Sequence, residues 1–200
     1  IRHMVRWEGD RGKVVWLPTW DAEHNGFRMD ADGNVTSPSA SDPVVPVVED
    51  GAPVAALREI FALIAEHDLV LATGHSSAEE VLILIPAAKA QGIRHILVTH
   101  PFGQHATMDQ MRQMGSEGAI MELDWFAVTR GSDSIEDYAA AIREVGAEHF
   151  LISSDLGQAG NPIHTDGLRD FIRALRGVGI SDREIDLMAR HNPARLLGLE

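Results

Sequence analysis

The stretch LVLATGHSSAEEVLILIPAAKAQGIRHILVTHP, Leu69 to Pro101, decides the fold. It opens on a short apolar run, Leu69 to Thr73, stopped by Gly74. Ser76 or Ser77 then caps a helix running through Ala90, with Glu79 and Glu80 in the first turn, where the helix dipole favours negative charge. Gly92 ends that helix and a second apolar run, His95 to Thr99, follows. Strands that are apolar throughout are buried on both faces, and two of them joined by a helix make a parallel crossover unit.

The same alternation extends in both directions. Upstream, Lys13 to Thr19 reads as a buried strand stopped by Pro18. Trp20 to Gly51 reads as a long loop, with Val44 to Val48, broken by Pro46, as a short edge strand. Pro53 is placed as the first residue of a helix reaching His67. Downstream, Thr107 to Gly115 is helical and Ala119 to Leu123 is a strand. Ser134 caps a helix to Val145, Phe150 to Ser153 is a strand, and Thr165 to Arg176 is helical. Ser181 with Glu184 makes a capping box for a last helix, which Asn192-Pro193 breaks before Ala194 to Leu199 closes the chain. About five main strands and their helices predict a parallel α/β fold in one domain over residues 1–200.

Composition narrows the chemistry. The chain has no cysteine, so disulfides and thiolate zinc sites are excluded, and any metal site is built from the ten histidines and the carboxylates. A net charge of −13 argues against nucleic acid or an anionic membrane as partner. No run is long and apolar enough to span a bilayer and no leader pattern opens the chain, so a cytoplasmic protein is expected. Met4 reads as the natural start, with Ile1-Arg2-His3 as a cloning remnant.

In parallel α/β folds ligands bind at the carboxyl ends of the strands. Those positions are Trp20-Asp21-Ala22-Glu23-His24, Gly74-His75-Ser76, His100-Pro101, Asp124-Trp125 and Ser154-Asp155-Leu156-Gly157-Gln158. His75, His100 and Asp155 are expected to converge on one divalent ion, Zn2+ by first choice and Mn2+ or another transition metal otherwise. Asp155 is assigned as the base that takes a proton from water, and His100 or His75 as the group that orients a substrate carbonyl. A lone strand-end His more often packs, and a lone Asp more often caps the next helix; their coincidence at three equivalent positions favours the joint reading. Asp21 and His24, with Glu23, are further ligand candidates set against a solvated loop. Glu122 alternates within its strand and is a candidate for the interior, whereas Asp124 is equally a turn residue. His105 and His164 are placed in loops, His95 at the opposite end of its strand, and His3, His67, His149 and His191 at the surface or at helix ends. Trp20, Phe27, Phe102 and Trp125 are available as apolar pocket walls, and residues 157–162 form a flexible polar loop that either closes over the site or simply connects.

These residues also carry a family resemblance. Val15-Trp16-Leu17-Pro18-Thr19-Trp20-Asp21, Thr73-Gly74-His75-Ser76, Val98-Thr99-His100-Pro101, Ser153-Ser154-Asp155-Leu156-Gly157-Gln158 and the ending Asn192-Pro193-Ala194-Arg195-Leu196-Leu197-Gly198-Leu199 resemble the amidohydrolase-like metal-dependent hydrolases, in an uncharacterised branch. The resemblance implies a distorted (β/α) barrel, metal ligands at His75, His100 and Asp155, and hydrolysis of an amide, lactone or ester of a small organic molecule by a metal-activated water; some relatives decarboxylate. Two departures stand out. The family's first-strand His-x-His pair is absent, and Lys13 opens its strand, so no carbamylated-lysine bridge is expected and Asp21, Glu23 or His24 would have to serve. The barrel is therefore expected to be incomplete, with an open apolar side covered by a second copy or another chain, or left by a truncated gene product. Two further readings compete: a catalytically degenerate fragment acting as an assembly subunit, and a doubly wound nucleotide-binding sheet. The second lacks any G-x-G-x-x-G or P-loop after a strand.

Overall fold

Gly74 has φ +60°, and a Cβ there would lie 2.3 Å from the Pro18 carbonyl oxygen, so only glycine lets the turns after two neighbouring strands touch. That contact belongs to the first of two compact units, residues 1–99 and 100–200, into which the chain divides in this computed structural model. The structure describes residues 1, 12–25, 28–29, 35–37, 39, 42 and 44–199. His3, Met4 and Phe27 lie outside them.

In the first unit, β1 (Val14–Trp16) precedes two small ladders, β2 (Arg28–Met29) with β3 (Val35–Thr36) and β4 (Val48–Glu49) with β5 (Ala52–Pro53). Helix α1 (Ala55–Glu66), β6 (Val70–Ala72), α2 (Ala78–Ala90) and β7 (His95–Val98) follow. β6 pairs in parallel with β1 on one side and β7 on the other. β6 is wholly buried, and Phe61 and Ile64 of α1 and Val81, Leu84 and Ile85 of α2 complete the core. Ser77 caps α2 in a capping box with Glu80.

Two expectations are corrected here. Pro53 does not begin the helix; it pairs with Val48 across a turn in which Asp50 and Gly51 both have positive φ, a twist suited to a tight hairpin. Val54 is the N-cap instead. Val44 to Val48 is accordingly not one edge strand: Val45 makes an isolated bridge to Ala22 and Val48 opens the hairpin.

The second unit runs α3 (Met108–Ser116), β8 (Ile120–Asp124), α4 (Trp125–Arg130), α5 (Ile135–Val145), a 3-10 turn (Ala147–His149), β9 (Phe150–Ser153), α6 (His164–Gly177), α7 (Asp182–Asp186), a π turn (Leu187–His191) and α8 (Asn192–Leu197). β8 and β9 are parallel, with Glu122 opposite Leu151 and Asp124 opposite Ser153. Tyr138, Phe150, Phe171, Met111, Met114 and Leu123 fill the core. Asn192-Pro193 does not break the last helix; a π turn, with the Asn192 N–H bonded to the Leu187 carbonyl, carries the chain directly into α8 and takes up the N–H that Pro193 lacks. His149, at the end of the 3-10 turn as expected of a helix-end residue, packs its ring on Gly115, whose missing Cβ would lie 2.9 Å from it. Among the described residues no helix is long and apolar enough to cross a membrane.

Candidate functional site

The second unit gathers an acid–imidazole cluster around His100. β8 is extended, so Glu122 and Asp124 lie on the same face. Asp124 is almost wholly buried and uses its two oxygens separately. Oδ1 accepts the Ala127 N–H at 2.8 Å and caps α4, while Oδ2 lies 3.0 Å from His100 Nδ1. The other ring nitrogen of His100, Nε2, lies 3.8 Å from Asp155 Oδ2. His100 and Asp155 turn off their strands with φ of 48° and 46°, in the left-handed region, which is uncommon outside glycine although His and Asp enter it more readily than most residues.

Charges follow from this packing. Burial alone would lower the His100 pKa, but the hydrogen bond and charge of Asp124, then the charges of Glu122 and Asp155, outweigh it and push the ring up to about 9. Burial raises the Glu122 carboxyl, opposed by the His100 charge and by the Ser153 hydroxyl beside it. Burial likewise raises Asp155, again opposed by His100. Tyr138 stands behind the cluster; its hydroxyl donates to Asp133 Oδ2 at 2.7 Å and sits 3.2 Å from the Asp124 carbonyl oxygen. Burial and the neighbouring carboxylates push that phenol well above its ordinary value, so it stays protonated.

The first unit presents His75 differently. Its backbone N–H donates to the Pro18 carbonyl at 3.0 Å, fixing the residue after Gly74. Its Nδ1 lies 3.2 Å from Oδ1 of the buried Asn25, whose amide donates to the Trp20 carbonyl. Glu23, His24 and Glu80 offer three ligand atoms within 4.8 Å of one another, and among the described residues no other such group forms. His24 Nε2 is 3.6 Å from Glu80 Oε2. Asp21 is exposed and outside that set; its carbonyl accepts the Val45 N–H.

The remaining sequence candidates settle into structural roles. His95 lies 3.7 Å from Asp68, and His191 pairs with Asp186 at the surface. His105 and His67 are exposed, and His164 is the exposed first residue of α6. Trp125 stacks on Phe171 and Phe102 lies against Tyr138. Asp124, weighed as a turn residue, is the member of the cluster that sequence reasoning undervalued; an Asp three residues before a free helical N–H is the signal. Asn25 carried no comparable signal.

A family model described as "Family of unknown function (DUF6282)" matches residues 1–122. No curated protein matches the sequence. Solved structures do. An amidohydrolase from Mycoplasma synoviae is similar at 16% identity with a TM-score of 0.60, over 88% of this chain and 57% of that one. A zinc-bound amidohydrolase from Burkholderia multivorans is similar at 12% identity with a TM-score of 0.54, over 74% and 58%. The 2,6-dihydroxybenzoate decarboxylase from Rhizobium is similar at 16% identity with a TM-score of 0.51, over 88% and 61%. The fold is thus the parallel α/β arrangement of the amidohydrolase barrels, and the chain spans about three fifths of these proteins' length. One fold that hosts hydrolases and a decarboxylase does not fix the reaction.

Proposed function

Because the chain belongs to the DUF6282 family, a family of unknown function, we propose its activity from its own strand-end chemistry: a metal-dependent hydrolase of the amidohydrolase type, acting on an amide, lactone or ester of a small organic molecule. The observation that carries this reading is His100 Nε2 facing Asp155 Oδ2 at 3.8 Å. Two donors each about 2 Å from one tetrahedral ion stand roughly 3.3 Å apart, so the pair needs to close by only about half an ångström to share an ion. Imidazole and carboxylate suit Zn2+ first and Mn2+ next, and the zinc-bound relative of the same fold supports that order. Such an ion, when bound, supplies Lewis acidity and makes water a nucleophile near neutral pH.

The chain's own groups do the rest. Asp155 takes the proton as water adds to the substrate carbonyl carbon, and its raised pKa makes it a better base than an ordinary carboxylate. The same proton then goes to the departing nitrogen or oxygen as the acyl bond breaks. Glu122, raised by burial, is a reserve proton carrier two residues before Asp124 on the same strand face.

A second position for the ion is favoured by one observation, the three donors of Glu23, His24 and Glu80. There, however, Glu80 Oε2 already accepts the Ser77 N–H at 2.8 Å. The deciding experiment is zinc content after exhaustive dialysis for the wild type and for His100→Ala, Asp155→Ala and His24→Ala. Loss in the first two and retention in the third is expected. Loss in His24→Ala alone moves the ion to the first unit, and a wild type without zinc removes the hydrolase reading in favour of a non-catalytic subunit.

A further inference from the structure

We infer that Asp124 is the positioning residue of this site: one carboxylate oxygen holds helix α4 in place while the other fixes the His100 ring so that Nε2 is the atom presented toward Asp155. The inference rests on the reading above only for what Nε2 is presented to; the ring's orientation is a property of the chain alone.

Three observations support it. Asp124 is the last residue of β8 and the N-cap of α4, so its backbone is held on both sides. Its side chain is 4% exposed and the ring of His100 is 19% exposed, so water does not compete strongly for the 3.0 Å contact at Nδ1. The capping bond at Oδ1 removes the side chain's freedom to rotate, and Oδ2 is thereby aimed. A carboxylate 3.0 Å from Nδ1 favours the proton there, and a neutral ring so protonated has its lone pair on Nε2. Without that acceptor the ring is free to carry its proton on Nε2, which closes the atom needed for an ion or a substrate.

The two tasks of the carboxylate separate by substitution. Asn caps a helix about as well as Asp, so Asp124→Asn keeps the Oδ1 bond to Ala127 but turns an NH2 group toward His100. A role confined to capping leaves everything else unchanged in that variant. If Asp124 positions the ring, the metal-free Asp124→Asn protein keeps its far-ultraviolet dichroism, while long-range proton–nitrogen spectra show the neutral His100 ring losing its preference for a proton on Nδ1. Its Zn2+ dissociation constant weakens by roughly 10- to 100-fold, and Asp124→Glu recovers part of either loss. An unchanged preference for Nδ1 together with unchanged zinc affinity overturns the inference. If the wild type binds no zinc, the hydrolase reading falls, while the protonation site of the neutral His100 ring still decides the role of Asp124. Should Asp124→Asn not fold, the wild type itself decides: at a pH above about 10, where the ring is neutral, long-range proton–nitrogen spectra must show His100 protonated on Nδ1. Protonation on Nε2 overturns the inference.

Discussion

His100 and Asp155 leave their strands by the same left-handed turn, at φ 48° and 46°, and their side chains meet at 3.8 Å between Nε2 and Oδ2. Each such turn carries a backbone cost, smaller for His and Asp than for β-branched residues.

That cost is measurable at position 155. Glycine enters the left-handed region freely, whereas alanine does not. Asp155→Gly is therefore expected to be more stable than Asp155→Ala by about 1 kcal/mol, read from urea unfolding midpoints. Equal stability of the two variants would mean that no backbone strain is stored there.

The turn after β6 makes a sharper contrast. Gly74→Ala forces a Cβ to within 2.3 Å of one backbone oxygen, where nothing flexible can give way. A loss above about 2 kcal/mol is expected. Gly118→Ala, at φ +84° with nothing within 4 Å, is the control and carries only the conformational cost, about 1 kcal/mol. Comparable losses in thermal unfolding would show that the Pro18 contact does not constrain His75.

Stability of the metal-free chain should depend on pH through His100. Its folded value of about 9 lies above the roughly 6.5 of an unfolded histidine. The stabilisation is thus complete below about pH 6.5 and disappears as pH rises through about 9. Its ceiling is about 3 kcal/mol. Urea unfolding in chelator across this window should show the decline in the wild type and a flatter profile in His100→Gln; identical profiles refute the assignment.

Metal uptake should be linked to the same proton. An ion can take Nε2 only after the imidazolium gives up its proton. Between about pH 6.5 and 9 the Zn2+ association constant is expected to rise close to tenfold per pH unit, with about one proton released per ion in calorimetry carried out in buffers of different ionisation heat. A pH-independent constant over this range would place the ion elsewhere.

The architecture was legible where local chemistry and burial agree. Val70–Ala72, His95–Val98 and Phe150–Ser153 are continuous apolar runs, and Ser77, Ser134 and Ser181 announce their helices by their own hydroxyls. The errors fall where tertiary contacts override local preference. Pro53 suits a helix start, yet the Asp50-Gly51 turn claims it for a strand. Trp125–Arg130 is too short and too apolar to read as a helix without knowing that Asp124 caps it. His100 and Asp155 could be named because strand ends face one side of a parallel sheet. The partners that set their charge could not, since the hold of Asp124 on His100 joins residues 24 positions apart in sequence.

Asn192 gives the arrangement a mechanical side. Its fully buried amide donates to the carbonyls of Ala147, at 2.9 Å, and Phe150, at 2.6 Å, so it pins the entry of β9. The strand whose far end carries Asp155 is thus anchored at its root by the closing helix and cannot slide along β8 without breaking that clamp. Any movement of Asp155 must come from the hinge beyond Ser153, and the reach of its carboxylate is set by the loop that follows rather than by the sheet.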